Sequence, residues 1–140
     1  MTLGKKLPAN YRPSNGEKFM NANQREYFRQ KLVAWRTELL EDYEETRQAL
    51  GATDRAGSDF ADMASQETDN TLELRNRNRE RKLVAKIDEA LERIENGTYG
   101  YCAETGNPIG LKRLEARPIA ALSIEAQERH EREEARNFRG

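Results

Sequence analysis

The feature that most constrains the fold is a regular apolar stripe in the first half of the chain. Its members recur at spacings of 4, 3, 4, 4, 3 and 4, and they are Phe28, Leu32, Trp35, Leu39, Tyr43, Thr46 and Leu50. This spacing is typical of a coiled-coil helix, which needs a partner to cover its apolar face. Asn21 or Asn23 is predicted to cap the start of the helix, and Gly51 is predicted to end it.

A second long helix is predicted from about Phe60 to Glu95. Its apolar positions are Phe60, Met63, Ala64, Leu72, Leu83, Ile87, Ala90, Leu91 and Ile94. Its middle is polar, so we expect looser pairing there. Because a short connector separates the two helices, they are expected to fold back on each other as an antiparallel hairpin.

The composition favours long solvated helices over a large globular core. Leu, Ile, Val and Phe make up only 24 of the 140 residues, while 24 basic residues oppose 25 acidic ones. Abundant balanced charge with few apolar residues is typical of helices that bury one stripe. The sequence therefore predicts a mainly α fold, with a long antiparallel coiled-coil hairpin, a small degenerate zinc-finger-like module and a C-terminal helix.

Four segments are predicted along the chain. Residues 1–20 carry Pro and Gly without periodicity and indicate an N-terminal arm. Residues 21–96 form the hairpin, with its tip near 52–64. Residues 97–122 hold four of the nine glycines and two of the four prolines, which predicts a compact, turn-rich module. Residues 123–140 are predicted to form a highly charged helix.

The turn-rich module has the residue spacing of a small zinc-binding motif but lacks most of its ligands. A zinc site of this kind needs four thiolates, but the corresponding positions are Cys102, Thr105, Ser123 and Ala126. Neutral hydroxyls are poor replacements for thiolates, so we expect no bound zinc. A Thr105–Ser123 hydrogen bond and apolar packing would then hold the module. The packing residues are expected to be Tyr101, Ile109, Leu111, Leu114 and Ile119.

An enzymatic function is disfavoured. His130 is the sole histidine and lies among charges, so we interpret it as a solvated surface residue. No positive group is expected to lower the pKa of Cys102, which favours a packed structural cysteine. The chain has no phosphate-binding loop and no dinucleotide fingerprint. The sequence therefore predicts a protein that is not an enzyme.

The lone cysteine and the hydropathy pattern bear on the compartment. A single cysteine excludes an internal disulfide and suits a reducing environment. No run approaches the roughly 18 apolar residues of a membrane span, and the N-terminus lacks the apolar core of a signal peptide. We therefore expect a cytosolic protein that does not insert into membranes.

Charge and apolar residues at the hairpin tip indicate a partner. Asp59 and Asp62 lie three apart at the start of the second helix, where acids also serve as caps. Capping does not explain why Phe60 and Met63 accompany them at a solvated tip. The charge is also uneven along the helices: residues 41–69 carry a net −7, and residues 75–86 carry a net +5 with Arg at 75, 77, 79 and 81. Such blocks of charge indicate a charged partner.

The order of these parts resembles the DksA/TraR family of transcription factors. The match runs from about residue 20 to the last helix. The residues that carry it are Met20-Asn21, AWR at 34–36, D-x-x-D-x-A at 59–64, LELRNRNRERKL at 72–83, GYC at 100–102 and RLEARP at 113–118.

The resemblance implies a regulator of bacterial transcription that binds RNA polymerase rather than DNA. Its coiled coil would enter the secondary channel of the polymerase. Asp59, Asp62 and Ala64 match the tip motif through which the family destabilises promoter complexes. Arg79 matches a position on the second helix that faces the polymerase.

The resemblance also implies a nucleotide effector. In the family the alarmone ppGpp lies between the factor and the polymerase, and its contacts correspond here to Leu83, Lys86 and Arg117. A fourth contact, usually Lys, is Gln127 in this sequence. Typical members hold zinc through four cysteines, of which only Cys102 is present.

We expect the protein to be a monomer. Three alternative functions remain open beside the transcription regulator. A coiled-coil adaptor that has lost polymerase regulation would have no reason to keep the acidic tip motif. A nucleic-acid-binding relative of zinc ribbons is disfavoured by the missing ligands and the near-zero net charge. Transcript cleavage, as in the Gre factors that share this architecture, would use Asp59 and Asp62 to hold Mg²⁺.

Overall fold

The computed structural model describes the backbone at residues 7–55 and 60–139 and the side chains at 7–48 and 71–137. Over this described part of the chain four helices follow in order: α1 (Ala22–Arg55), α2 (Phe60–Asn96), α3 (Leu111–Ala116) and α4 (Ile124–Arg139). An isolated antiparallel bridge joins Tyr101 and Pro108. The predicted mainly α fold is confirmed. None of the described helices is long and apolar enough to cross a membrane.

The chain divides into two compact units, and the two long helices contribute to both. Unit 1 contains the chain up to Leu32 and from Asp88 onward, and unit 2 contains Val33–Ile87. Unit 1 therefore holds the start of α1, the end of α2, the turn-rich module and α4. Unit 2 holds the remaining parts of the two long helices.

The start of α1 is capped as the sequence predicts. The Asn21 Oδ1 atom accepts a 2.8 Å hydrogen bond from the Gln24 amide, which satisfies a donor of the first turn. In return, the fully buried Gln24 side chain accepts a 2.7 Å bond from the Met20 amide. The two bonds together resemble a capping box and specify where the helix begins.

The end of α1 differs from the prediction. The helix continues through Gly51 to Arg55, so the expectation that Gly51 terminates it is wrong. A glycine inside a helix costs about 1 kcal/mol relative to alanine. That cost is small beside the backbone hydrogen bonds of a helix of 34 residues.

The predicted apolar stripe of α1 is the less exposed face of the helix. Phe28 and Leu32 are fully buried. Trp35, Leu39, Tyr43 and Thr46 are half-buried, and the side chain of Leu50 lies outside the described residues. The coiled-coil period therefore identified the correct face of the helix.

The stripe of α2 is confirmed only in its second half. Ile87 and Ala90 are fully buried and Ile94 is nearly so, as predicted. Leu72, in the polar middle of the helix, is 52 % exposed, so its assignment to the buried stripe is wrong. The side chains of Phe60, Met63 and Ala64 lie outside the described residues.

In unit 2 the two helices run antiparallel. The Arg77 guanidinium stacks 4.4 Å from the centre of the Tyr43 ring and donates a 2.7 Å hydrogen bond to the Tyr43 hydroxyl. Leu39 and Val84 line one shared pocket of about 100 Å³. Because an earlier residue of α1 meets a later residue of α2, the predicted hairpin arrangement is confirmed.

The module contributes its own apolar residues to the core of unit 1. Of the five side chains expected to hold it, Ile109, Leu111 and Leu114 are buried, whereas Tyr101 and Ile119 are half-buried. Leu111 and Leu114 lie three apart on α3, so one face of this short helix points into the core.

The described part of the N-terminal arm belongs to unit 1 and packs against the rest of it. The Phe19 ring meets the Tyr101 ring edge-on, with 5.5 Å between centroids. The Tyr11 ring likewise meets the Tyr27 ring at 6.2 Å. Met20 is buried. The arm predicted for residues 1–20 thus covers the module and the start of α1 over the part that the structure describes.

Candidate functional site

Backbone hydrogen bonds close the turn-rich module. The Cys102 amide donates to Asn107 O at 2.8 Å, and the Gly106 amide donates to Cys102 O at 2.9 Å. The Ala103 amide donates to Ala121 O at 2.8 Å, which ties the first turn to the segment before α4. Backbone hydrogen bonds therefore fix the turns of the module.

The four degenerate ligand positions meet inside this frame. Cys102 is buried, and its sulfur is hydrogen-bonded by the side chains and backbone amides of Thr105 and Ser123. The Ser123 hydroxyl in turn accepts a 3.3 Å bond from the amide of Ala126, whose methyl group is fully buried. The two hydroxyl groups are therefore linked through the sulfur, and not by the direct bond expected from the sequence.

This set of side chains does not fit a zinc ion. Tetrahedral zinc needs four strong donors, and the pocket offers one sulfur, two neutral hydroxyls and a methyl group. Among the residues that the structure describes, no cluster of three or more His, Cys, Asp or Glu could hold a metal.

The same hydrogen bonds alter the acidity of Cys102. Burial raises the pKa of the thiol, but the bonds from Thr105 and Ser123 outweigh burial and lower this pKa from 9.0 to about 6. The prediction considered only positive groups as a cause, and the groups that lower this pKa are hydrogen-bond donors instead. Hydroxyl and amide donors stabilise a thiolate as well.

We expect the Cys102 thiolate absorbance at 240 nm to titrate with a midpoint near pH 6. Because the folded pKa lies below the unfolded one, the thiolate contributes stability that is complete above pH 9 and is lost as the pH falls toward 6. Replacing Thr105 with Val should move the midpoint upward by about one unit or more. A midpoint above pH 8 in the parent protein would contradict this environment.

The last helix is tied to the module by the sole histidine. The His130 Nε2 atom pairs with the Glu104 carboxylate, and this bond raises the pKa of the imidazole. Both side chains remain well exposed, so the pair is screened by solvent. His130 is thus a surface residue, as predicted, although it has a partner.

Arg117 lies where α3 ends. It is exposed, and its amide donates a 2.7 Å bond to Arg113 O. Its neighbour Pro118 is buried and offers its carbonyl to the hydroxyl of Tyr99 at 2.8 Å. Among the described side chains Tyr99 is the largest that is fully buried, and no sequence pattern pointed to it.

The other residues that the resemblance assigns to polymerase or ppGpp are distributed over both units. In unit 2, Arg79 and Lys86 are exposed and Leu83 is half-buried. In unit 1, Gln127 is half-buried, and its side chain donates to Glu131 at 3.3 Å along α4.

The predicted tip lies outside the described side chains. Asp59 falls in the undescribed segment between α1 and α2. Asp62 and Ala64 belong to the first turns of α2, but their side chains are not described. Their assigned roles stay predictions.

Two family profiles match the chain and together cover most of it. The profile described as "DnaK suppressor protein DksA, N-terminal domain" matches residues 24–94. The profile described as "Prokaryotic dksA/traR C4-type zinc finger" matches residues 97–132. The second match covers the module in which three of the four cysteine positions are replaced.

The similar proteins carry the same name or a closely related one. The "RNA polymerase-binding transcription factor DksA" of Caulobacter vibrioides is 60% identical over 126 residues, which are 90% of this chain and 89% of the relative. The protein of the same name from Escherichia coli K12 is 42% identical over 84% of this chain and 78% of its own length. The solved structure of "transcription factor DksA2 from Pseudomonas aeruginosa" is 48% identical and superposes with a TM-score of 0.79, covering 84% of this chain and 90% of that one.

Proposed function

The chain belongs to the DksA/TraR family, and from this membership we propose that it is a transcription factor that acts by binding RNA polymerase. The observation that carries the proposal is the 60% identity to a relative named as an RNA polymerase-binding transcription factor, over nearly the whole of both chains. Such a protein is a regulator and not an enzyme. A polymerase partner also places it in the bacterial cytoplasm.

The proposed mode of action is insertion of the hairpin into the secondary channel of the polymerase. Asp59, Asp62 and Ala64 would then face the active site and lower the stability of promoter complexes. Arg79 would contact the polymerase from α2. The antiparallel helices of unit 2 and the exposed Arg79 side chain support this proposal.

The proposed effector is ppGpp, bound at the interface with the polymerase. Leu83, Lys86 and Arg117 would contact it, and the exposure of the two cations supports their availability to phosphate. Gln127 stands where relatives usually carry a lysine. Losing one charge-assisted bond costs about 1–3 kcal/mol, so the synergy with ppGpp should be weaker than in relatives with that lysine.

The module is proposed to fold without zinc. The hydrogen-bonded Cys102, Thr105 and Ser123 and the buried methyl of Ala126 support this. We further propose that the protein works as a monomer and does not read DNA sequence itself. Its tolerance of zinc limitation should then exceed that of four-cysteine relatives.

Replacing Asp62 with Asn is the direct test of the proposed tip. In transcription in vitro from a ribosomal RNA promoter, we expect the parent protein to repress, more strongly with ppGpp. Asp62→Asn should repress at least about tenfold less at equal occupancy, since it removes one charged contact. Asp42→Asn, at an exposed aspartate of α1, is the matched control and should repress like the parent.

Polymerase affinity is measured alongside repression, so that loss of binding is not mistaken for loss of action. If Asp62→Asn represses as well as the parent while still binding the polymerase, the tip assignment is wrong. If the parent binds the polymerase but alters no transcript, the protein is an adaptor.

A further inference from the structure

The turn after α3 is held by an unusual set of side chains. Four backbone carbonyls between residues 115 and 122 each accept a hydrogen bond from a side chain within unit 1. The pairs are Lys31 Nζ to Glu115 O at 3.1 Å, Tyr99 hydroxyl to Pro118 O at 2.8 Å, Arg93 to Ile119 O at 3.5 Å and Arg113 Nε to Leu122 O at 3.0 Å. Donors from α1, from α2 and from the module therefore converge on one short segment.

Arg117 lies in the middle of this segment, and its backbone is also bonded on both sides. Its amide donates to Arg113 O at 2.7 Å, and its carbonyl accepts from the Ala120 amide at 3.0 Å. The Arg117 side chain is nevertheless exposed. A side chain that leaves a rigid backbone loses less entropy on binding a ligand than one on a mobile loop.

Lys31 makes two of the hydrogen bonds that hold this segment. Its ammonium donates to Glu115 O and also to the Glu115 carboxylate at 2.6 Å, across 84 positions of sequence. The Tyr27 hydroxyl bonds the same carboxylate. Lys31 and Tyr27 thereby join α1 to Glu115 in the last turn of α3, two residues before Arg117.

The Lys31–Glu115 ion pair is expected to contribute little to folding stability. Each of its two side chains is 37% exposed. Ion pairs with this much solvent exposure contribute little to the free energy of folding. Ordering a lysine also costs side-chain entropy. An arrangement with little effect on stability can still decide where a neighbouring side chain points.

We infer that Lys31 is a positioning residue for Arg117, and that through the Glu115 carbonyl and carboxylate it sets the affinity for ppGpp. This inference rests on the proposed role of Arg117 in binding that nucleotide. Lys31 acts through α3, so the charge on Glu115 matters as much as the charge on Lys31.

The test compares Lys31→Met, Lys31→Arg and Glu115→Gln with the parent in transcription reactions containing the full protein, RNA polymerase and increasing ppGpp. The readout is the ppGpp concentration that gives half of its additional repression. We expect Lys31→Met to raise it about fivefold to tenfold, which is the net effect of losing roughly one hydrogen bond. Lys31→Arg should restore most of the response. Lys18→Met, at an exposed lysine of unit 1, should change nothing.

Glu115→Gln separates positioning from direct contact. It keeps the Lys31 cation but removes the anion that holds it, so positioning predicts a weaker ppGpp response. If Lys31 touched the nucleotide directly, releasing it from Glu115 would leave the response unchanged or strengthen it. That second result overturns the inference.

Two further outcomes also overturn it. One is a Lys31→Met variant with an unchanged half-maximal ppGpp concentration. The other is a variant whose melting temperature and ppGpp-independent repression fall together with the ppGpp response, which would show a structural role only. A parent protein that represses but ignores ppGpp would refute the proposed effector itself, and the inference with it, before any variant is compared.

Discussion

Changing Thr105, Ser123 and Ala126 together to cysteine is expected to create a zinc site in the module that we propose to fold without metal. The backbone already brings these positions around Cys102, since the side chains of Thr105 and Ser123 both bond its sulfur and the Ala126 amide bonds Ser123. Four thiolates would then converge as tetrahedral zinc requires.

The measurement is elemental analysis of purified protein together with thermal melting. The triple-cysteine variant should carry about one zinc per chain, whereas the parent carries far less. Because structural zinc contributes about 10–16 kcal/mol of binding energy in small domains, a chelator should strongly lower the melting temperature of the variant. The chelator should leave the parent unchanged.

A control variant removes the remaining thiol. Adding Cys102→Ser to the triple-cysteine variant should return the metal content toward that of the parent, since one ligand is lost. Finding one equivalent of zinc in the parent would refute the proposal that the module folds without metal. A triple variant without zinc would show that the backbone does not present a tetrahedral set.

Gly100→Ala is expected to lower the free energy of unfolding by about 2–5 kcal/mol, the sum of backbone strain and overpacking. Gly100 has a φ of +90°, a region that L-residues rarely adopt. A Cβ atom there would lie 2.8 Å from Met20 Cγ and 3.3 Å from a carbon of the Phe19 ring. Met20 is buried, so it has little room to move aside.

Gly97→Ala is the matched control. Its φ is +79°, but a Cβ atom there would meet nothing within 4 Å. We expect it to cost only about 1–2 kcal/mol, from the backbone alone. Urea denaturation of both variants measures the difference, and Met20→Ala in the Gly100→Ala background should recover part of it. Equal losses for the two glycines would contradict the contact with the N-terminal segment.

The long helices were the most predictable part of the fold. The spacing of Phe28, Leu32 and their successors is a local property of the chain, and it identified the buried face of α1. The cap was narrowed to Asn21 or Asn23 for the same reason, and the structure shows that it is Asn21. The errors at Gly51 and Leu72 arose where local preference was weak: one glycine does not end a long helix, and an apolar residue in a polar stretch has little to pack against.

The candidate site was only partly predictable. The degenerate positions around Cys102 were identified, but the lowered pKa of its thiol was not, because it depends on donors brought together by folding. Lys31 and Glu115 carried no signal in the sequence, since they are 84 positions apart and each is an ordinary charged residue of a charged chain. The acidic tip lies outside the described side chains and remains a prediction.

The sequence by itself determined the helical hairpin, the family and the replacement of three cysteines. The apolar period, the family motifs and the type of residue at each ligand position can all be read directly from the order of residues. Only the tertiary structure decided that the Cys102 sulfur sits between Thr105 and Ser123, and that donors from three elements fix the turn that carries Arg117. These features depend on distances between residues remote in the chain. Such distances are set when the core of unit 1 packs, and no local pattern encodes them.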